Sequence, residues 1–191
     1  MDKPFDFLTL PSTQVAPRLL GCELSRRVNG REIRVKIVEV EAYDQTDAAS
    51  HSYHGLTARN QVMFGDPGRA YVYFTYGMHF CLNIVTEPAG RGSAVLIRAA
   101  EPLSGIELIR ANRPNITSDC QLTNGPAKLC LALQIGPEFN GHDLSTAPLK
   151  LIVKRPVSAK LVIRTTRIGI SRDTDRLWRY YIDQNRFVSH L

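Results

Sequence analysis

The sequence predicts a mixed α/β domain (α+β) built on a mostly antiparallel sheet with helices packed against it. Three observations carry this. Strand-forming runs dominate, and two of them, "CELSRRV" and "REIRVKIVEVEAY", flank Asn29-Gly30, the strongest short hairpin signal. Two later stretches, "LSGIELIRAN" and "GPAKLCLALQI", space their apolar residues as helices do. Strands and helices do not alternate regularly, which argues against a doubly wound fold.

Each element follows from local chemistry. Ser12 and Thr13 are candidate N-caps for a short first helix. The Asn29-Gly30 hairpin comes next, then a polar loop from Asp44 to about Asp66, rich in His, Ser, Asn and Gly. "RAYVYFTYGMHFCLNIV" reads as a second hairpin turning at Tyr76, Gly77 and Met78. "SAVLIRAAEP" is a strand expected to end at Pro102, and "LKLIV", "RTTRIGI" and "WRYYI" are expected as late strands.

Composition narrows the class. Of 191 residues, 43% are hydrophobic and 22% charged, which fits one globular domain spanning residues 1–191. No apolar run reaches a membrane-span length of ~18 residues, and "MDKPFDFLTLPST" has no signal pattern, so a cytoplasmic or nuclear protein is expected. The net charge of +6 suits a polyanionic partner and equally a merely basic domain. Cys22, Cys81, Cys120 and Cys130 form no C-x-x-C pair, so they read as buried free thiols. No metal or organic cofactor is expected, since no metal-ligand spacing and no phosphate-binding glycine motif occurs.

Several residues stand out chemically. Period-2 alternation puts Ile33, Val35, Ile37, Glu39 and Glu41 on one face. Either the strand leaves the core at Glu39 and both glutamates face water, or they line a cleft where one acts as a general base. Arg98 ends the apolar run of "VLIRAAEP" and so needs an anionic partner, a carboxylate or a phosphate. His51 sits in the polar loop, where a lone histidine is more often a surface or structural residue than a catalytic one. Arg59, Asn60 and Arg69 lie near Gly-Pro turns, fit for phosphate contacts or for plain solvation. Asn124 and Gly125 can cap a helix whose first residue is Pro126, leaving Lys128 near its N-terminus as an anion site or a bystander. Tyr76 and Met78 occupy a hairpin turn where small polar residues are usual.

Taken in order, "VEVEAYDQTDAASHS", "TARNQVMFGDPGRAYVYFTYGMHFCLNIV", "AVLIRAAEPLSG", "NGPAKLCLAL" and "RIGIS" resemble the alkyladenine (3-methyladenine) DNA glycosylase family. The resemblance implies a curved antiparallel sheet with a protruding hairpin. It implies base-excision repair of alkylated and deaminated purines: 3-methyladenine, 7-methylguanine, hypoxanthine and ethenoadenine. Glu41 is then the general base and Arg98 sits beside it. Tyr43, His51 and Tyr73 line the base pocket, and Asn83 lies beneath the base and screens out guanine. Tyr76 intercalates, and Met78, Arg59 and Lys128 contact DNA. The partner implied is double-stranded DNA bearing damaged purines, met by a monomer with no membrane association, nucleoid-associated in a bacterial cytoplasm sooner than nuclear. Two other functions use the same residues: a DNA-binding module without catalysis, and a small-molecule hydrolase using Glu39 and Glu41 as a carboxylate pair at ~7 Å along the strand.

Overall fold

The computed structural model describes residues 5–75 and 77–189. Helix α1, Ser12–Leu19, precedes strands β1, Glu23–Val28, and β2, Arg31–Tyr43. Strands β3, Ala70–Thr75, and β4, His79–Val85, form the second hairpin, and β5, Ala94–Ser104, follows. Helices α2, Ile106–Asn112, and α3, Pro126–Ala132, lead to three short strands: β6, Leu149–Ile152, β7, Val162–Thr165, and β8, Arg179–Ile182. The architecture is the expected one: a single curled antiparallel sheet with helices against it. The path β3-β4-β5-β2-β1-β6 carries β7 and β8 as a branch off β2.

The first hairpin turns as its residues require. Asn29 and Gly30 both adopt positive φ, 47° and 77°, the pairing that matches the right-handed twist of the flanking strands.

The long strand β2 organises the rest. Along one edge it pairs with β5. Along the other it pairs with β1 through Lys36 and then with β8 from Glu39 to Glu41. Register shifts between Ile37 and Val40 mark a β-bulge at this hand-over. A bulge inserts a residue and bends the strand, and here it also reverses the phase of the side chains. Ile33, Val35 and Ile37 belong to the main core, but beyond the bulge Val40 and Ala42 take that face. The expectation that Glu39 and Glu41 continue the row of Ile33, Val35 and Ile37 is therefore wrong. They lie on the opposite face, and neither faces bulk solvent, since both are 0% exposed.

That opposite face becomes the site, by strict alternation. On β3 and β4, Tyr71 pairs with Asn83 and Tyr73 with Cys81 on the site side, while Val72 pairs with Leu82 on the core side. On β5, Val95 and Ile97 enter the main core, and Leu96 and Arg98 turn the other way. Helices α1 and α3 close the core with Val15, Ala16, Leu19, Leu129 and Cys130.

The second hairpin protrudes as expected. β4 pairs with β5 only from Asn83 to Val85, so the half nearer the turn pairs with β3 alone. Phe74 and Met78 are exposed there, Met78 to 68%. Tyr76 lies outside the described residues.

Four local expectations need correction. Helix α1 takes Pro11 as its N-cap, with Ser12 and Thr13 already inside it and no capping side-chain bond. Strand β5 runs past Pro102 to Ser104, because Pro102 sits at a register irregularity where its missing N–H costs little. In "RTTRIGI" only Arg164 and Thr165 are strand. Arg167 and Ile168 instead make contacts to the β2 site face. Of the cysteines, Cys22, Cys81 and Cys130 are buried thiols, but Cys120 is half-exposed beside Arg186.

Gly105 opens α2 at φ +74°, and a Cβ there would come within 2.6 Å of the Glu32 carbonyl oxygen. Gly105→Ala is expected to lower stability by about 1–3 kcal/mol, read as a lower urea midpoint at unchanged slope.

Candidate active site

A cavity of about 360 Å³ opens on the site face, within the usual span of small-ligand pockets. Tyr43 from β2, Tyr71 and Tyr73 from β3, Cys81 and Asn83 from β4, and Leu96 and Arg98 from β5 line it. Two irregular segments complete the wall: Ala49–His51 from the polar loop, and Ile168–Ile170. Tyr43, His51, Tyr73, Asn83 and Arg98 are thus brought together around one cavity.

The aromatic wall is interlocked. The His51 ring meets Tyr73 edge-on at 4.5 Å. Its Nδ1 is 3.0 Å from the Tyr71 hydroxyl. His51 is exposed toward the cavity, yet the protein mass around it, and then Arg59, hold its pKa below the ordinary value, so at neutral pH it is an uncharged ring. Burial pushes the Tyr71 hydroxyl up to about 12, against the pull of Arg59. Burial, and then Cys81, raise Tyr73. Asn83 donates from Nδ2 to the Tyr71 carbonyl at 3.0 Å, which keeps its amide in the plane between the two strands.

Beneath the wall lie two carboxylates that differ in one decisive way. An ionised carboxylate offers about four acceptor sites. Glu39 receives four hydrogen bonds: from Arg98 Nε at 3.2 Å, Arg179 Nε at 2.7 Å, Ser189 Oγ at 2.9 Å and the Ser189 amide at 2.7 Å. Three of these bonds fall on Oε1 and one on Oε2, and together they clamp the C-terminal segment onto β2. Glu41 receives three among the described residues: from the Tyr43 hydroxyl at 2.8 Å, Arg98 Nη1 at 3.3 Å and the Ile168 amide at 2.8 Å. One site on its Oε1 is left. All three of its partners line the cavity, and Glu39's other partners, Arg179 and Ser189, do not.

Arg98 ties the pair together and is the buried cation that its position in "VLIRAAEP" demands. Burial works against its charge, but Glu41 and Glu39 more than offset this and raise its pKa. Burial, and then the neighbouring Glu41, push Tyr43 well above the usual tyrosine range, so its hydroxyl stays a donor to Glu41.

The outlying residues fall differently. Lys128 does not line the cavity, although Pro126, at the start of the same helix, does. Its Nζ donates to Asn124 Oδ1 at 2.8 Å. Asn124 thus serves the lysine, and Gly125 is the N-cap. Arg59 is exposed and donates to the Phe74 carbonyl at 3.2 Å, tying the polar loop to the hairpin. Among the described residues no cluster of His, Cys, Asp or Glu could hold a metal ion, and no helix is long and apolar enough to cross a membrane.

Sequence reasoning missed the buried pair of Asp47 and Arg167, whose side chains are both 0% exposed. It also missed Arg179 and Ser189 as the partners of Glu39. The available signal was the one that marks Arg98, an arginine next to apolar residues, in "RIGIS".

Comparison with known proteins places this geometry. The family profile described as methylpurine-DNA glycosylase matches residues 6–186. A protein of Carboxydothermus hydrogenoformans named "Putative 3-methyladenine DNA glycosylase" is 51% identical over 176 residues, 92% of each chain. Proteins of the same name from Streptomyces avermitilis and Nitrosospira multiformis are 44% and 43% identical over 189 residues. They cover 96% and 99% of this chain, and 89% and 94% of their own. A match that runs from before α1 to beyond β8 takes in the sheet, the hairpin and every wall of the cavity, and with it the chain belongs to the methylpurine-DNA glycosylase family, the DNA glycosylases of DNA repair.

Proposed function

We propose that this DNA glycosylase hydrolyses the N-glycosidic bond of alkylated or deaminated purines in duplex DNA, with the damaged base turned out of the helix into the cavity. A base inside a duplex cannot be reached by a buried carboxylate, so it must be extruded. The cavity supports this with ring faces: Tyr43, Tyr73 and uncharged His51 suit a flat purine, and an electron-poor alkylated one best. The observation that carries the reading is the single open acceptor site on Glu41, next to a cavity whose wall is made of that carboxylate's own partners.

In this mechanism a water donates to Glu41 Oε1 and attacks the anomeric carbon as the base departs. The water's proton passes to Glu41, the sugar gains a hydroxyl and the purine takes the bonding pair. Positive charge building on the sugar is stabilised by the carboxylate. Arg98 holds Glu41 in place and keeps the site charge balanced. Among the described residues no lysine lines the cavity, so attack by water, without a Schiff base, is the route its chemistry favours.

Outside the cavity, Met78 and Arg59 meet the DNA from the hairpin and the loop tied to it. Tyr76 fills the gap left in the base stack. Lys128 contacts a phosphate. The carboxylate-pair reading loses support because Arg179 and Ser189, which hold Glu39 together with Arg98, do not line the cavity. The test compares excision from duplexes carrying one lesion each with hydrolysis of the same free nucleosides. Excision from duplex alone supports the proposal, and activity on nucleosides alone contradicts it.

Asn83→Ser should relax discrimination. An amide fixed between the strands rejects guanine by crowding its 2-amino group, and a smaller side chain removes the clash. The ratio of 7-methylguanine to hypoxanthine excision should rise. An unchanged ratio would leave Asn83 a purely structural link to Tyr71.

A further inference from the structure

We propose that Asp47 and Arg167 are positioning residues for the reaction, a buried clamp that sets two of the three donors to Glu41. The proposal rests on the glycosylase reading above. The Arg167 fork grips both carboxylate oxygens of Asp47, with Nη2 at 2.8 Å from Oδ1 and Nη1 on Oδ2. Nη1 also donates at 3.0 Å to the carbonyl of Ala42, the residue between Glu41 and Tyr43. The guanidinium carbon stands 4.6 Å from the centre of the Tyr43 ring and 5.2 Å from that of Trp178. The next residue is Ile168, whose amide donates to Glu41 at 2.8 Å.

Asp47 reaches the cavity as well. Its Oδ1 accepts from the Ala49 amide at 3.1 Å, and its carbonyl accepts from the Ser50 amide at 2.9 Å. One ion pair therefore joins three separate stretches of wall: the end of β2, the loop at Ala49–His51, and the segment from Ile168 to Ile170.

The form of the contact argues for geometry over stability. A buried ion pair is often no more stabilising than apolar side chains of the same volume. Arg167 even leaves its buried Nε without a partner among the described residues. What a planar, two-pronged pair supplies is orientation. The fork fixes the guanidinium plane, the plane limits where the Tyr43 ring can lie, and the ring places the hydroxyl on Glu41. Through the peptide bond, the same anchor holds the Ile168 amide on the other carboxylate oxygen. Loosening it lets Glu41 turn away from the attacking water without emptying the cavity.

The test uses the full chain and two variants, Arg167→Lys and Asp47→Asn. Lysine keeps the charge but has no fork. Asparagine keeps the shape and loses the charge. The first readout is amide hydrogen exchange, which needs no activity. Ile168 should exchange about tenfold faster or more, while the amides of Leu82 and Ile97 stay as slow as in the parent. The second is single-turnover excision of hypoxanthine from duplex. The saturating rate should fall about 10–100-fold, since small misplacements of a reacting group cost that much, with the half-saturating enzyme concentration within about threefold of the parent. A faster Ile168 with an unchanged rate overturns the proposal. So does acceleration of Leu82 and Ile97 in step with Ile168, which would make the pair a support of the whole fold. If Arg167→Lys does not fold, the near-isosteric Asp47→Asn carries both readouts. A parent protein that excises nothing overturns the glycosylase reading, and the Ile168 exchange still decides whether the clamp exists.

Discussion

Glu41→Gln is expected to lower the single-turnover excision rate by about 10²–10⁴-fold or more while affinity for damaged duplex stays near that of the parent. Glutamine keeps the shape and can still accept from Tyr43 and Arg98, but it cannot take a proton from water. Loss of a general base alone accounts for about 10²–10⁴-fold, and loss of the charge facing the forming cationic sugar adds to it. Glu39→Gln is the control. Glu39 is held by Arg179 and Ser189, which do not line the cavity, so its substitution should act on folding, by loosening Arg179 and the C-terminal segment at Ser189. The readouts are excision under enzyme excess, a binding titration and an unfolding curve for each variant. Equal loss of rate in both, at equal stability, would favour a paired-carboxylate mechanism.

Arg98→Met should have the largest effect on stability. Arg98 is 7% exposed and, among the described residues, is the one cation that bonds both Glu39 and Glu41, which are 0% exposed. Methionine fills much of the volume but leaves two like charges facing each other without water. Removing one side of a buried ion pair costs about 3–5 kcal/mol. The urea midpoint should drop accordingly, and excision should fall even in conditions where the variant stays folded, because Glu41 loses a donor. A variant as stable as the parent would mean that Arg179 and Ser189 alone balance the site.

How much of this the sequence revealed depends on the range of the interaction. Asn29-Gly30 announced its hairpin because the turn needs two positive φ angles and this dipeptide tolerates them. Arg98 was legible because an arginine closing a β run has few harmless places to go. The bulge at Ile37–Val40 left no local mark, so strict alternation carried Glu39 and Glu41 onto the wrong face. The difference between the two carboxylates was equally hidden. It is made by Arg179 and Ser189, about 140 and 150 residues further along the chain. Arg167 was masked by the short, strand-like "TTRIGI", whose backbone leaves the sheet to serve the site. Lys128 was placed correctly near a helix start, yet its actual partner is Asn124, a neighbour one turn away.

The central claim is tested most directly by the fate of one duplex that carries a single hypoxanthine, incubated with excess enzyme. The account predicts free hypoxanthine in solution and a strand that stays whole until alkali cleaves it at the abasic site. It also predicts no protein–DNA adduct on treatment with borohydride, because the attacking group is water activated by Glu41 and, among the described residues, no lysine lines the cavity. Release of hypoxanthine together with a borohydride-trapped adduct, or undiminished release by Glu41→Gln, would contradict it.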